Sequence, residues 1–307
     1  MKALRDVFGD TLVSLGSTNP NLLVLDADLA NSTKADKFAK AHPARFLQMG
    51  IAEQNFVGVA VGLASLGFVP WLSSFTVFFT HRAIDPIRML VAQTHANVKI
   101  GAAYAGLMTG LTGKTHQDVQ DLAIMRAMPD MVVLAPGDPI EAEAVIRWAT
   151  EYEGPVFVRL ARDTCPNVFD EQYRFVPGRT ISLREGGDVL LVSTGPQSAR
   201  CLQAAELLQG QGISTGVLHV PSIKPVNKEE IVNAAEKARI VITVEEHSIY
   251  GGLGGMVAEI LSEASPRRVI RFGIEDHWGE SAPNDYLLDA FKMSPPRLSE
   301  RIQMLVA

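Results

Sequence analysis

Short apolar runs rich in β-branched residues alternate with segments of helical spacing, and this alternation limits what the chain can fold into. The predicted strands are 22–25, 68–72, 98–101, 131–134, 156–159, 189–193, 215–219, 240–244 and 269–272. Strands that alternate with helices form parallel sheets, which carry helices on both faces. The sequence therefore predicts an α/β protein built from doubly wound sheets.

The alternation stops between residues 163 and 187, where prolines and a glycine lie among charged residues and no periodicity holds. A chain of 307 residues has room for about two domains. We predict one α/β domain over residues 1–165, a linker over 166–187 and a second α/β domain over 188–307. The predicted helices are 52–66, 81–93, 117–127, 138–152, 198–208, 228–237 and 254–262.

The composition argues against several classes of protein. A net charge of −6 and the lack of a basic run disfavour a nucleic-acid-binding surface. No apolar stretch reaches the ~18 residues of a membrane span, and the first ten residues fit an amphipathic helix better than a signal peptide. Cys165 and Cys201 lack metal-ligand spacing and fit two reduced thiols. We predict a cytoplasmic protein with no nucleic-acid or membrane partner.

One carboxylate stands at the head of a long apolar run. Glu53 lies in Met49-Gly-Ile-Ala-Glu-Gln-Asn55, directly before the apolar residues 56–66. An ionised carboxylate surrounded by hydrocarbon is costly, so Glu53 needs either a partner or a proton. Two interpretations stay open from the pattern alone: a first-turn acid favoured by the helix dipole, or an acid used for proton chemistry.

Three clusters of chemically active residues follow predicted strands, where parallel sheets bind their ligands. They cover residues 26–33, residues 73–79 and a Gly- and Thr-rich loop over residues 104–118, with His116 at a predicted helix start. The loop has the flexible backbone, hydroxyls and imidazole of a substrate loop. Isolated histidines and phenylalanines are also common as structural residues, so the clusters alone do not decide the function.

Two glycine-containing segments match nucleotide-binding motifs only loosely. Gly251-Gly-Leu-Gly-Gly255 lacks the full spacing of a dinucleotide fingerprint, and Gly113-Lys-Thr115 lacks the preceding glycine of a Walker loop. We predict a tight strand–helix turn at 251–255 and no Walker-type phosphate loop at 113–115.

Taken in order, these residues resemble the C-terminal half of transketolase. The motifs that carry the resemblance are Asp26-Ala-Asp-Leu29, Gly50-Ile-Ala-Glu-Gln54, Phe75-x-x-Phe78, Thr115-His-Gln117 and Gly251-Gly-Leu-Gly254. The likeness covers nearly the whole chain and extends to deoxyxylulose-phosphate synthases and to the beta subunits of 2-oxo acid dehydrogenases. It implies that the first domain is the pyrimidine-binding domain of a thiamine diphosphate enzyme and the second a transketolase C-terminal domain.

The resemblance implies a cofactor site for thiamine diphosphate. Glu53 would hydrogen-bond the aminopyrimidine ring and so favour the tautomer that activates the thiazolium carbon. His116 would handle protons and the developing oxyanion of the substrate, which makes Glu53 and His116 the implied catalytic residues. The implied cofactor-binding residues are Asp28 near the thiazolium, Glu53, Phe75 and Phe78 as the aromatic wall, and His81 where transketolases often carry a Tyr.

The resemblance also implies an anion site. Arg5, Ser32 and Arg162 match positions that transketolases use for the terminal phosphate of a sugar, and two guanidiniums suit an oxyanion. The chain departs from the family by having Tyr104 for a His, Leu111-Thr112 for an acidic pair and Lys114 for a neutral residue. The loss of two acids and the gain of Lys114 make the mouth of the site more positive by about three charges. They predict an anionic sugar other than the usual pentose and hexose phosphates, bound by Arg5, Ser32, Tyr104, Thr112, Lys114, His116 and Arg162.

The family motif for Mg²⁺ and diphosphate, Gly-Asp-Gly with a downstream Asn, is absent from the sequence. Mg²⁺ demands hard oxygen ligands, and no such cluster stands at the expected place. We therefore expect no metal ligands in this chain. An N-terminal transketolase subunit would hold the diphosphate and Mg²⁺, and the expected assembly is α₂β₂.

Several interpretations of the function stay open. The favoured one is the beta-type subunit of a split transketolase, which transfers a two-carbon ketol unit from an anionic ketose to an aldose. A beta subunit of a 2-oxo acid dehydrogenase is the alternative, although the anion-site residues would have no purpose with a small oxo acid. A non-catalytic scaffold subunit is a third interpretation, which the intact Glu53 and His116 disfavour. A deoxyxylulose-phosphate synthase is less favoured, since that enzyme keeps both halves on one chain.

Overall fold

The predicted alternation of strands and helices is present in the computed structural model, which describes residues 1–306. The strands are β1 (Lys2–Ala3), β2 (Leu22–Asp26), β3 (Phe46–Gln48), β4 (Val69–Phe75), β5 (Lys99–Ala103), β6 (Val132–Leu134), β7 (Val156–Leu160), β8 (Thr164–Cys165), β9 (Ile181–Arg184), β10 (Val189–Ser193), β11 (Thr215–His219), β12 (Ser222–Lys224), β13 (Ile240–Ser248) and β14 (Val269–Ile274). The helices are α1 (Leu4–Thr18), α2 (Ala30–Thr33), α3 (Asp36–Ala41), α4 (Glu53–Ser65), α5 (Thr76–His81), α6 (Ile84–Pro86), α7 (Asp121–Arg126), α8 (Pro139–Glu151), α9 (Gln197–Gln209), α10 (Lys228–Glu236), α11 (Leu253–Ala264), α12 (Asn284–Ala290) and α13 (Pro295–Val306).

Two sheets organise the chain. The first has the order β12-β6-β7-β5-β4-β2-β3 and is parallel except where β12 meets β6. The second has the order β14-β13-β10-β11-β9 and is parallel except for β9. A short antiparallel ladder between β1 and β8 ties the start of the chain to the segment after β7. The predicted α/β fold class is confirmed.

Alternating side chains of the first sheet enter two different hydrophobic clusters. On β2, Leu22 and Val24 pack with α1 and α8, whereas Leu23 and Leu25 pack with α4 and α7. We call residues 1–165 the first unit and residues 188–307 the second unit. The cluster that contains Leu23 and Leu25 continues into α11 of the second unit, so one core joins the two units. None of the helices within residues 1–306 is long and apolar enough to cross a membrane.

The linker prediction needs a correction. Residues 166–187 contain β9, which pairs with β11, so the second sheet begins inside the predicted linker. Its apolar alternation covers only four residues and is hidden among prolines and glycines. Strand β12, from the predicted second domain, pairs with β6 at the edge of the first sheet. The division into domains over 1–165 and 188–307 remains a proposal, in which β9 joins the second sheet and β12 joins the first.

Two predicted helices have wrong bounds. The helix predicted over 81–93 begins only at Ile84 and continues as a π-helix over Ile87–Ala92. The helix predicted over 117–127 begins at Asp121, because the Asp118 carboxylate accepts the backbone N–H of Gln120 and closes a turn before it. His116 therefore lies in a loop and not at a helix start.

Candidate active site

The carboxyl ends of three neighbouring strands bring the predicted clusters to one edge of the first sheet. Strands β2, β4 and β5 are adjacent and parallel, and Phe75 on β4 pairs in register with Ala103 on β5. Tyr104 follows directly, so the aromatic cluster and the Gly-rich loop begin side by side. Leu29, which follows β2, packs against Phe75 and Tyr104.

Glu53 has the partner that its burial requires. It is the first residue of α4 and is 4% exposed. Its Oε1 accepts a hydrogen bond from Arg82 Nη1 at 2.7 Å, and the Arg82 side chain is 47% exposed. The guanidinium of Arg82 also lies over the Phe78 ring, 3.8 Å from its centroid. Sequence reasoning missed Arg82, because only the fold brings the end of α5 to the start of α4.

Aromatic rings form a wall beside this ion pair. Phe75 and Phe78 are nearly parallel, with centroids 5.7 Å apart. His116 meets both rings edge-on, at 5.8 Å from Phe75 and 5.6 Å from Phe78. Its Nδ1 lies 2.8 Å from the Thr115 hydroxyl, which orients the imidazole. The structure thus brings together four of the predicted residues: Glu53, Phe75, Phe78 and His116.

A second group gathers around Tyr104, whose ring stacks on Phe75 at 4.0 Å. Arg5 Nη1 donates to the Tyr104 hydroxyl at 2.5 Å and to the Ser32 carbonyl at 3.0 Å. Arg162 Nη1 donates to the Thr109 carbonyl at 3.3 Å. The Cζ atoms of Arg5 and Arg162 lie 5.3 Å and 5.4 Å from the centroid of the Tyr104 ring. Arg5, Ser32, Tyr104 and Arg162 are therefore neighbours.

The positive charges of Arg5 and Arg162 are not neutralised by a neighbouring carboxylate of the described residues. Neither makes an ion pair with a carboxylate within residues 1–306. The Nε atoms of Arg5 and Arg162 are buried and have no hydrogen-bond acceptor in the part of the chain that the structure describes. Buried donors without partners are rare in folded proteins. An oxyanion placed between the two side chains would supply the missing acceptors.

A cavity of about 340 Å³ opens in front of the aromatic wall. Phe78, His81, Arg82 and Lys114 line it from the first unit, and Trp278 lines it from the second. Two of these side chains carry permanent positive charge. The indole of Trp278 is 65% exposed and was not predicted, because nothing in its local sequence distinguishes it from a surface residue.

Two predicted residues lie at the margin. Asp28 is exposed and has a left-handed backbone with φ of 66°, and its N–H donates to Gln48 Oε1 at 2.9 Å. Thr112 is exposed too, and its hydroxyl donates to the Thr109 carbonyl of its own loop at 3.2 Å. Asp28 therefore lies outside the aromatic and arginine groups, whereas Thr112 adjoins the arginine group because it shares the Thr109 carbonyl with Arg162.

Two buried acids, Asp26 and Asp118, hydrogen-bond to the segments that carry the site residues. Asp26 accepts hydrogen bonds from Leu29 N–H and Gln48, and burial raises its pKa. Asp118 accepts a hydrogen bond from the Thr80 hydroxyl of α5, and its pKa is raised by burial and by the neighbouring charge of Asp121. Because both carboxyls are buried and bonded to the segments that carry site residues, they hold those segments in place.

The segment 251–255 forms the predicted tight turn. Both carboxylate oxygens of Glu245 accept backbone N–H groups at the start of α11, from Leu253 and Gly254, each at 2.7 Å. Glu245 thereby occupies the helix N-terminus that a phosphate would need. Among residues 1–306 no group of three or more His, Cys, Asp or Glu side chains is arranged to hold a metal ion.

Comparison with protein families matches both halves of the chain. The family model described as "Transketolase, pyrimidine binding domain" matches residues 1–167, and "Transketolase, C-terminal domain" matches residues 178–298.

Individual relatives cover nearly the full length. A transketolase C-terminal section from Methanocaldococcus jannaschii is 42% identical over 304 residues, which are 98% of this chain and 95% of that protein. A 6-deoxy-6-sulfo-D-fructose transketolase subunit from Clostridium sp. (strain MSTE9) is 38% identical, with 95% of this chain and 90% of that protein covered. A solved structure described as "Split gene transketolase, inactive beta4 tetramer" is 43% identical, with a TM-score of 0.92 and 100% and 99% coverage.

Proposed function

This chain belongs to the transketolase family, and on that premise we propose that it is the beta-type subunit of a split, thiamine-diphosphate-dependent transketolase acting on anionic sugars. The observation that carries the proposal is the position of Phe75. The same ring stacks on Tyr104 of the arginine group and lies against Phe78 and His116 of the aromatic wall. The proposed cofactor and anion subsites therefore share Phe75 as a wall. A sugar held by its anionic end would then have its reacting end close to the cofactor, as the transfer of a ketol unit requires.

The residues around Glu53 fit the pyrimidine ring of the cofactor. When bound, thiamine diphosphate supplies a nucleophilic carbon that accepts and releases the two-carbon unit. Glu53 Oε1 would accept a hydrogen bond from a ring nitrogen, and Phe75 and Phe78 would pack against the ring. In this chain Arg82 makes both kinds of contact, with Glu53 and with the face of Phe78. Arg82 would therefore have to leave Glu53 before the ring binds, and its 47% exposure allows that movement.

His116 and the two arginines would act on the sugar. His116 touches both phenylalanine rings and would hold a proton at an imidazole nitrogen beside the reacting carbonyl oxygen. Arg5 and Arg162 would bind the anionic end of the sugar through their unsatisfied Nε–H groups. Lys114 at the cavity mouth would add to the positive potential. Asp28, His81, Ser32 and Thr112 stay proposed contacts of cofactor or sugar.

The anionic group is proposed to be a phosphate or a sulfonate. Both present several oxygens to a guanidinium pair, and one relative of this chain is named for 6-deoxy-6-sulfo-D-fructose. Tyr104 fills the place of a family histidine with a larger ring, and its hydroxyl is already bound by Arg5. This filling supports a sugar that is deoxy, branched or sulfonated near that contact.

A partner chain is proposed to complete the site. Val59, Val61 and Leu63 of α4 are only half-buried, and the exposed apolar residues Ile51 and Leu66 flank the helix at its two ends. Such a face next to a half-built pocket supports an N-terminal transketolase subunit that brings the diphosphate and Mg²⁺ sites. The related structure described as an inactive tetramer of beta subunits supports the need for that partner. We propose an α₂β₂ assembly in the cytoplasm.

The test is ketol transfer by the reconstituted complex with thiamine diphosphate and Mg²⁺ across a panel of sugars. We expect transfer from 6-deoxy-6-sulfofructose or another unusual anionic ketose to exceed transfer from xylulose 5-phosphate. Xylulose 5-phosphate and ribose 5-phosphate as the best pair would contradict the unusual substrate. Reductive acylation of lipoamide without ketol transfer would favour a 2-oxo acid dehydrogenase instead.

A further inference from the structure

The loop over residues 104–116 is shaped partly by its own turns and partly by contacts from outside it. Four of its residues, Tyr104, Gly106, Gly110 and Gly113, have left-handed backbones with φ between 60° and 76°. The loop contains one 3₁₀ turn over Gly110–Thr112 and a β-bridge between Ala105 and Asp118, and the rest of it is irregular. Left-handed backbone persists where the surrounding structure holds it, so contacts from outside the loop matter for its conformation.

The second unit supplies these contacts through Glu246 at the end of β13. Glu246 is 7% exposed, and its Oε1 accepts the backbone N–H of Met108 at 2.9 Å. Its Oε2 accepts a hydrogen bond from Arg200 Nη1 at 3.0 Å, and its carbonyl accepts one from Arg159 Nη2 at 2.8 Å. The carboxylate is therefore rigidly held at both oxygens, and one of them is used to anchor the loop.

At two glycines of the loop, the second unit lies so close that a side chain would collide with it. A Cβ on Gly106 would lie 2.5 Å from Glu246 Oε1, and a Cβ on Gly110 would lie 2.6 Å from Asn284 Oδ1. Further along, Ser281 donates to the Leu111 carbonyl at 2.7 Å and Gln117 Nε2 donates to the Glu280 carbonyl at 2.9 Å. The loop is thus seated on the second unit along its length.

The anchored peptide leads directly to the anion site. Met108, whose N–H is bound by Glu246, precedes Thr109, whose carbonyl accepts from Arg162. Arg162 in turn lies beside Tyr104 and Arg5. A shift of the Met108 peptide would therefore move the acceptor that orients Arg162.

We propose that Glu246 is a positioning residue for anion recognition, and that seating this loop is a function of the C-terminal unit. The inference rests on the proposed function, since it assigns a role to Arg162 in binding the sugar. Loss of the anchor should weaken binding of the anionic end and leave the chemistry at His116 and Glu53 nearly unchanged. A neutral sugar, which does not use Arg162, should be insensitive.

The test compares three variants in the complex with the N-terminal subunit. Glu246→Gln keeps an oxygen acceptor for Met108, whereas Glu246→Asp keeps the charge beside Arg200 and withdraws the oxygen from the loop. Glu246→Ala removes both. The control is Arg126→Gln, which breaks the Arg126–Glu259 ion pair between the units, remote from the loop.

We expect KM for the anionic donors xylulose 5-phosphate and 6-deoxy-6-sulfofructose to rise about tenfold in the Ala and Asp variants, with kcat within twofold. Neutral erythrulose should keep its kcat/KM in all variants, and the Gln variant and the control should resemble wild type. Equal losses for neutral and anionic donors, or equal KM in the Asp and Gln variants, would overturn the role of Glu246.

The Asp–Gln pair keeps the test decisive if the Ala variant fails to fold. A wild-type complex without ketol transfer would contradict the proposed function and not the anchor. Hydrogen exchange at the Met108 amide then tests the anchor separately. We expect faster exchange in the Asp variant than in the Gln variant, and equal rates would contradict the anchor.

Discussion

Glu245 and Glu53 are both buried and both place a carboxylate at a helix N-terminus, but their surroundings differ. Each carboxylate oxygen of Glu245 accepts one backbone N–H at the start of α11, from Leu253 and Gly254, both at 2.7 Å. Glu53 at the start of α4 makes a single side-chain hydrogen bond within residues 1–306, to half-exposed Arg82. A carboxylate bonded to fixed backbone groups stabilises a fold, whereas one held by a movable side chain is free to take another partner.

The strongest test of this contrast is removal of each acid's charge. We expect Glu53→Gln to lower kcat of the reconstituted complex about 10³-fold, because an amide does not replace a carboxylate in proton transfer. Assembly with the partner should be unchanged. The matched variant Glu245→Gln should keep kcat within threefold in the folded complex. Full activity of Glu53→Gln would support a scaffold role for this subunit.

Loss of Glu245 should lower the stability of the fold more than loss of Glu53, which reverses the order expected for activity. Glu245→Ala leaves two buried N–H groups unpaired, so the free energy of unfolding should fall by about 3 kcal/mol. Glu53→Ala should change it by less than about 1 kcal/mol, since Arg82 regains water as its partner. Denaturant unfolding of the two variants measures both values. Equal losses would remove the distinction between the two sites.

The movable partner should compete with the cofactor. Arg82→Met removes the ion pair with Glu53 and the contact with Phe78, together worth about 1 kcal/mol at a half-exposed site. Thiamine diphosphate should then bind the complex about fivefold more tightly, as measured by calorimetry. Arg88→Met, at a nearby exposed arginine, is the control. Weaker binding in Arg82→Met would mean that Arg82 contacts the bound cofactor.

The smallest effect is a pH dependence from Glu245. Burial raises the pKa of this carboxyl above its ordinary value of 4.5. The folded protein then holds this proton more tightly than the unfolded chain, so stability falls as pH rises from 4.5 towards the folded pKa. Other buried carboxyls, such as Asp26 and Asp118, also have raised pKa values, so the contribution of Glu245 is the difference between wild type and Glu245→Gln in denaturant titrations across mildly acidic pH. We expect stability to fall more steeply with pH in wild type than in the variant, and a difference of opposite sign would mean that the backbone donors outweigh burial.

The fold class was predictable from the sequence. Strand periodicity located the central strands, and the clusters over residues 26–33, 73–79 and 104–118 follow those strands, whereas the motif around Glu53 follows β3, which was not predicted. Local pattern also indicated that Glu53 needs a partner. The tight turn at 251–255 was recognised because its glycine spacing fits no phosphate loop.

The partners themselves were not predictable, because they come from distant parts of the chain. Arg82 reaches Glu53 only through packing of α5 against α4, and Glu246 lies 138 residues from Met108. Trp278 enters the cavity from a loop of the second unit. Strand β9 was not predicted because its apolar alternation covers only four residues, and the predicted start of α7 was wrong because a hydrogen-bonded turn precedes the helix.

The most direct measurement is ketol transfer as the N-terminal transketolase subunit is titrated into this chain, with thiamine diphosphate, Mg²⁺ and an anionic ketose present. A shared active site predicts no turnover by either subunit alone and a rate that saturates when the two are equimolar. The same titration with Glu53→Gln should stay at the baseline. Turnover by this chain alone, or an active complex with Glu53→Gln, would contradict the central claim that Glu53 stands in half of an active site.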